Sequence, residues 1–203
     1  VKTGYIAGNS FYGAKLIDGK IEKSEKKLPL LSKAVLASLD ELSKMIPSEP
    51  QNAEIFNPAK SRVHSFEANT KYWVSKNPIV LENVKIIGNM IIKSDQQIQV
   101  KASAHLKDVL LVAPTVIIEE ATKGVFQVLA SKQITVQKNC ELNYPSALVL
   151  YQDELDTSQR NTSNSMINQI FIDSGTTIRG VVLYYNKKEV SNFETAIKIA
   201  SGV

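Results

Sequence analysis

The sequence predicts a mainly β chain: a single-stranded parallel β-helix, triangular in section, with turns of 18 residues and an N-terminal region carrying one α-helix. Two periodicities predict it. Stepping by six from Val100 meets Leu106, Val112, Ile118, Gly124, Ala130, Val136, Leu142 and Leu148, all aliphatic or small. Stepping by six from Ile98 meets Ala104, Leu110, Val116, Thr122, Val128, Ile134, Cys140 and Ser146, again aliphatic or small. The third even-numbered class is mostly polar or bulky: Ala102, Asp108, Pro114, Glu120, Phe126, Lys132, Lys138, Tyr144 and Leu150. Two inward positions and one outward corner in every six residues describe a short strand and a bend, three to a turn.

The elements follow in order. Residues 1–70 form an N-terminal cap region, opening with turn signals at Phe11-Tyr12-Gly13 and a hairpin signal at Asp18-Gly19 between Leu16-Ile17 and Ile21. Ser32 can cap a helix that carries Val35, Leu39, Leu42 and Ile46 along one stripe, and Pro47 stops it. Residues 47–70 read as a polar connector anchored by Phe56 and Phe66. From residue 71 to 203 the solenoid takes over. Its turns align as Ile79-Val80-Leu81, Ile98-Gln99-Val100, Val116-Ile117-Ile118, Ile134-Thr135-Val136, Ile170-Phe171-Ile172 and Ile197-Lys198-Ile199. Two polar insertions, 152–168 and 185–195, account for the longer steps, and insertions belong outside an inner column.

An outer ladder of Ile92, Leu111, Leu129, Ala147 and Val149 breaks the polar rule and predicts a surface on which the helix packs. The last turn, Ile197-Lys198-Ile199, looks like a truncated opening of further turns, and an uncovered strand edge recruits partners. Val1 and Val203 are expected to bound an excised part of a longer protein, any membrane anchor lying outside it.

Bulk composition narrows the classes. Of 203 residues 43% are apolar and 22% charged, as in an ordinary globular protein. The net charge of +4 comes from dispersed lysines, without the concentrated basic, aromatic-laced patch of a nucleic-acid binder. Cys140, the single cysteine, falls on an inward beat and predicts a buried small side chain.

Candidate chemistry is sparse. His64 and His105 have no spaced partner, so no zinc site is expected, and phosphate-cradling glycine loops and nucleophile-elbow serines are missing. Carboxylates that could hold calcium or act as an acid and base pair are Glu119-Glu120, Asp153-Glu154-Asp156 and Asp173. Lys101 and Lys138 lie one turn either side of Glu119-Glu120, which reads as charge compensation. Trp73 is expected to pack the cap rather than hold a sugar, and Asn161-Thr162-Ser163 matches a glycosylation sequon. The expectation is no catalytic, cofactor or metal residue.

Gly124-Val125-Phe126-Gln127-Val128-Leu129-Ala130-Ser131-Lys132-Gln133-Ile134-Thr135-Val136, with Gly88-Asn89-Met90-Ile91-Ile92-Lys93-Ser94, resembles the turns of bactofilins, polymer-forming bacterial β-helix proteins. The resemblance covers residues 79–150 and, more loosely, 168–203. It implies a right-handed, non-enzymatic helix that associates end to end. Long insertions and a 70-residue N-terminal elaboration depart from that pattern. The chain also looks like the soluble part of anchored bacterial surface proteins, which places it in the cell envelope. Six-residue beats also define the left-handed β-helix of hexapeptide acyltransferases. Lys101, Lys107, Val125, Gln137 and Val149 stand where those carry small or acidic residues, which favours the right hand. The expected function is a structural or cell-surface scaffold that self-associates through terminal strand edges. The alternative is a carbohydrate-binding or carbohydrate-active β-helix acting on surface polysaccharide.

Overall fold

The computed structural model describes residues 10–11, 14–15, 31–45, 54–55, 57, 61–152, 168–187 and 195–202. The chain divides into two compact units, Val1–Glu41 and Leu42–Val203. In the first, β1 (Ser10–Phe11) pairs antiparallel with β2 (Ala14–Lys15), flanking the Tyr12-Gly13 signal. The Asp18-Gly19 hairpin lies outside the described residues. Helix α1 (Lys33–Met45) begins where Ser32 predicts, because the Ser32 hydroxyl accepts a hydrogen bond from Val35 N at 3.3 Å. Its half-buried positions are Leu36, Leu39, Asp40 and Leu42, whereas Val35 is 44% exposed. The apolar stripe therefore starts one residue later than the sequence reading.

The second unit is a mainly β domain whose strands all pair in parallel and follow one another through the sheet. They are β3 (Glu54–Ile55), β4 (Arg62–His64), β5 (Lys71–Ser75), β6 (Ile79–Leu81), β7 (Lys85–Ser94) and β8 (Gln97–Val100). The long strands β9 (His105–Ile118), β10 (Lys123–Val136) and β11 (Glu141–Gln152) follow, then β12 (Gln169–Ile172), β13 (Thr177–Asn186) and β14 (Ile197–Ile199). Two strands lie in the stretch read as a connector: β3 pairs with β5, and β4 with β7. Phe66 anchors nothing there, being 66% exposed; Phe56 lies outside the described residues.

Pairing runs in three ladders. One links β4 to the starts of β7, β9, β10, β11 and β13. Another links β3 and β5 to the later parts of β7, β11 and β13 through the middles of β9 and β10. The third joins β6, β8, the ends of β9 and β10, β12 and β14. This third ladder carries the alignment read from the sequence: Ile79, Ile98, Val116, Ile134, Ile170 and Ile197 follow one another in register. So do Leu81, Val100, Ile118, Val136, Ile172 and Ile199. Val100, Ile118 and Val136 are fully buried, and each such aliphatic contributes roughly 1.5–3 kcal/mol.

Four corners between the third and first ladders share one device, which the corner at residues 101–104 lacks. Asn83, Ala121, Asn139 and Gly175 adopt positive φ of 52°, 59°, 58° and 69°. Each directly precedes a buried residue: Val84, Thr122, Cys140 and Thr176. A left-handed residue reverses the local curl of the backbone, and Asn and Gly enter that region at least cost. Both insertions leave after paired residues, Gln152 and Asn186, and return at strands that also pair, β12 and β14. Both therefore fall between the second and third ladders.

Three readings of facing are corrected. First, β9 and β10 run 14 residues each and β11 runs 12, passing without interruption through bends that the six-residue beat placed between short strands. Second, Phe126 and Leu150, assigned to outward corners, are fully buried, while Leu110, assigned inward, is half-buried. Phe126 and Leu150 keep the even parity of Val128 and Leu148 in uninterrupted strands, so the expected corner is simply absent there, whereas Leu110 is turned outward by a pair of register shifts. Asp108, at φ 57°, is an extra residue in β9 between the Lys107↔Val125 and Val109↔Phe126 pairs, and the count is restored between Ala130 and Gln133. Between the shifts the buried alternation is Val109, Leu111 and Ala113. Third, the outer ladder dissolves. Ile92 and Leu111 are fully buried on the core face, and Leu111 pairs with Val128, not Leu129. The column that does form on the opposite face is Lys93, Val112, Leu129, Val149 and Leu183.

Candidate functional site

Most polar candidates are spent on structure. His64 Nε2 lies 2.8 Å from the Asn69 carbonyl, fixing the turn after β4. His105 is exposed at the start of β9, its backbone N donating to Val84 O. Glu119 accepts from Gln99 Nε2 and pairs with Lys101 Nζ at 2.7 Å, the compensation across strands that the spacing predicts. Glu120 Oε1 accepts from Asn139 Nδ2 at 3.3 Å, and Asp173 Oδ1 accepts from Ser174 N at 2.7 Å. Asp153, Glu154, Asp156 and Asn161 lie outside the described residues. Among the described residues no three His, Cys, Asp or Glu groups converge as metal ligands, and no helix is long and apolar enough to cross a membrane.

Cys140 is 1% exposed, in register with Thr122 and Thr176 at the inner corner. Its thiol donates to Glu119 O at 3.0 Å, and burial pushes its pKa up, so a reactive thiolate is disfavoured. Trp73 is 1% exposed in the core, its indole N–H donating to Glu54 Oε2 at 3.2 Å.

Sequence reasoning missed the cluster around Glu54. This carboxylate takes Lys71 Nζ at 2.6 Å and Arg62 Nη2 at 3.1 Å, and the Arg62 guanidinium sits 5.6 Å from the Trp73 ring centroid. The hydrogen bonds from Lys71 and Trp73, then the Arg62 charge, hold the Glu54 pKa below the ordinary carboxylate value. No local motif announces it, since its members come from three strands. A pocket of about 400 Å³ was also missed, lined by Lys93, Asp95, Val112, Pro114, Leu129 and Tyr151. It follows the corner from which the insertions leave.

What the architecture leaves open is its C-terminal edge. Among the described residues β13 pairs only with β11, and β14 only with β12. Ile178, Val182, Tyr184 and Ile197 pack on the core but stay partly exposed, and Ile199 is 57% exposed. With one paired side among the described residues and apolar side chains behind it, β13 is a template that another strand can extend. No family model matches this chain, no curated protein matches it, and no solved structure matches its fold.

Proposed function

We propose that the chain closes into a right-handed, triangular β-solenoid that serves as a non-catalytic structural scaffold, assembling end to end as bactofilins do. The observation that carries this reading is that, among the described residues, β13 and β14 each pair on one side only, over a partly exposed core. The three parallel ladders, each continued at regular steps, support closure into three sides. Catalysis has no comparable support, because the candidate carboxylates with described side chains are tied into ion pairs or turns. The resemblance to bactofilins supplies the expected setting, a bacterial cell envelope.

Sedimentation velocity over a hundredfold range of concentration tests the assembly. The reading expects a concentration-dependent series of oligomers, diminished by Ile199→Lys, which puts a charge on the exposed terminal strand. A monomer at every concentration, or oligomers indifferent to that change, contradicts it.

A further inference from the structure

The outward face of the third ladder carries two columns of side chains whose chemistry is unlike the rest of the surface. One reads Gln97, Thr115, Gln133, Gln169; the other reads Val80, Gln99, Ile117, Thr135, Phe171. Register is unbroken throughout, so neighbours in a column stand about 4.8 Å apart. No charged residue falls in either column between Val80 and Phe171. Among the described residues, the side chains of Gln97, Thr115, Gln133 and Thr135 spend no hydrogen bond within the chain. All four are half-buried, so they still meet solvent. The strands beneath them carry fully buried Ile98, Val116 and Ile134, which fixes the array from below.

We propose that this face binds a neutral polysaccharide laid across the strands, along the columns. A sugar ring offers hydroxyls at its rim and C–H groups on its faces. The amides of Gln97 and Gln133 can donate to and accept from the hydroxyls, as can the hydroxyls of Thr115 and Thr135. Ile117 and the Thr135 methyl meet the C–H faces. The uncharged stretch runs from Val80 to Thr135, since Lys198 continues the second column beyond Phe171 with its ammonium 5.9 Å from that ring. Each sugar contact is weak, but a repeating polymer on a repeating rigid array accumulates them with little ordering cost on the protein side. The residues changed in the test lie on β8, β9 and β10, away from β14, so binding and assembly can fail independently.

The test is co-sedimentation of the whole chain with cellulose and chitin particles, and affinity electrophoresis through a soluble neutral β-glucan, with alginate as the anionic control. Retention by at least one neutral glycan is expected, weakened at least tenfold by the double change Gln133→Ala and Thr135→Lys. Because both side chains face outward, the variant should keep the parent's circular dichroism and melting temperature. Should it unfold instead, Gln97→Ala with Thr115→Ala on the same face replaces it and must weaken retention. Absence of binding to all neutral glycans, binding to alginate alone, or retention unchanged in a folded variant would overturn the proposal.

Discussion

A Cβ atom built on Gly124 would lie 2.8 Å from Cδ1 of Phe126, two residues further along the same strand. Gly124 occupies the column that Leu106 and Leu142 fill in the neighbouring strands, and the fully buried Phe126 ring leans into the space a larger residue would take. The two positions share one volume, divided between no side chain and a very large one.

Gly124→Ala should therefore overpack the site, lowering stability by roughly 1–3 kcal/mol. Phe126→Ala should cost about 3–5 kcal/mol through the cavity it leaves. Gly124→Leu combined with Phe126→Ala should recover part of that loss, since the pair is in contact and the two changes are not additive. Urea unfolding of the parent, Gly124→Leu, Phe126→Ala and the double variant measures the coupling; strict additivity would show that the ring does not fill the glycine's place.

Adjacent residues of β11 should differ sharply. Leu142 is fully buried, and Leu142→Asp strands a charge in the core, so soluble protein should be lost. Glu141 is half-buried at the surface, 3.5 Å from Lys123 and 3.4 Å from Arg179. Exposed pairs of this kind contribute about 0–1 kcal/mol, so Glu141→Lys should express and fold. Yields of soluble protein and circular dichroism decide it.

Acid should loosen the β3–β5 end first. The folded-state pKa of Glu54 is depressed below its ordinary 4.5 by Lys71, Trp73 and Arg62. Its contribution is thus fully present above pH 4.5 and is lost as pH falls through the lower folded value. Glu54→Gln should reduce the melting temperature at pH 7 and flatten its decline below pH 4.5. Tryptophan fluorescence of Trp73, whose indole donates to this carboxylate, reports the change locally.

The lone thiol should be silent in the folded protein. With Cys140 at 1% exposure and its pKa raised by burial, a chromogenic disulfide reagent at pH 8 should react only at the rate of unfolding. Stoichiometric labelling within seconds under native conditions would place Cys140 at the surface.

The sequence made the third ladder legible because its Ile-x-Val, Val-x-Ile and Ile-x-Ile pairs occupy a regular sheet with no extra residue, where parity alone decides facing. The same parity failed between Asp108 and Pro114. One left-handed residue there moves Leu111 inward and brings Val112 into the outer column beside Leu129. A register shift of this kind leaves no mark on an alternating apolar run, since Leu110, Leu111 and Val112 are equally apolar. The Glu54 cluster was not legible, because its partners lie on β4 and β5, whereas the outward columns of the third ladder follow from the aligned turns themselves.

The stacking itself is tested most directly by spin labels at Val80 and Lys198, the two ends of the outward column that runs through Gln99, Ile117, Thr135 and Phe171. Five steps of about 4.8 Å predict a backbone separation of about 24 Å with a narrow distribution. A broad distribution, or a mean separation about twice as large, would contradict a chain whose strands lie one above another in register.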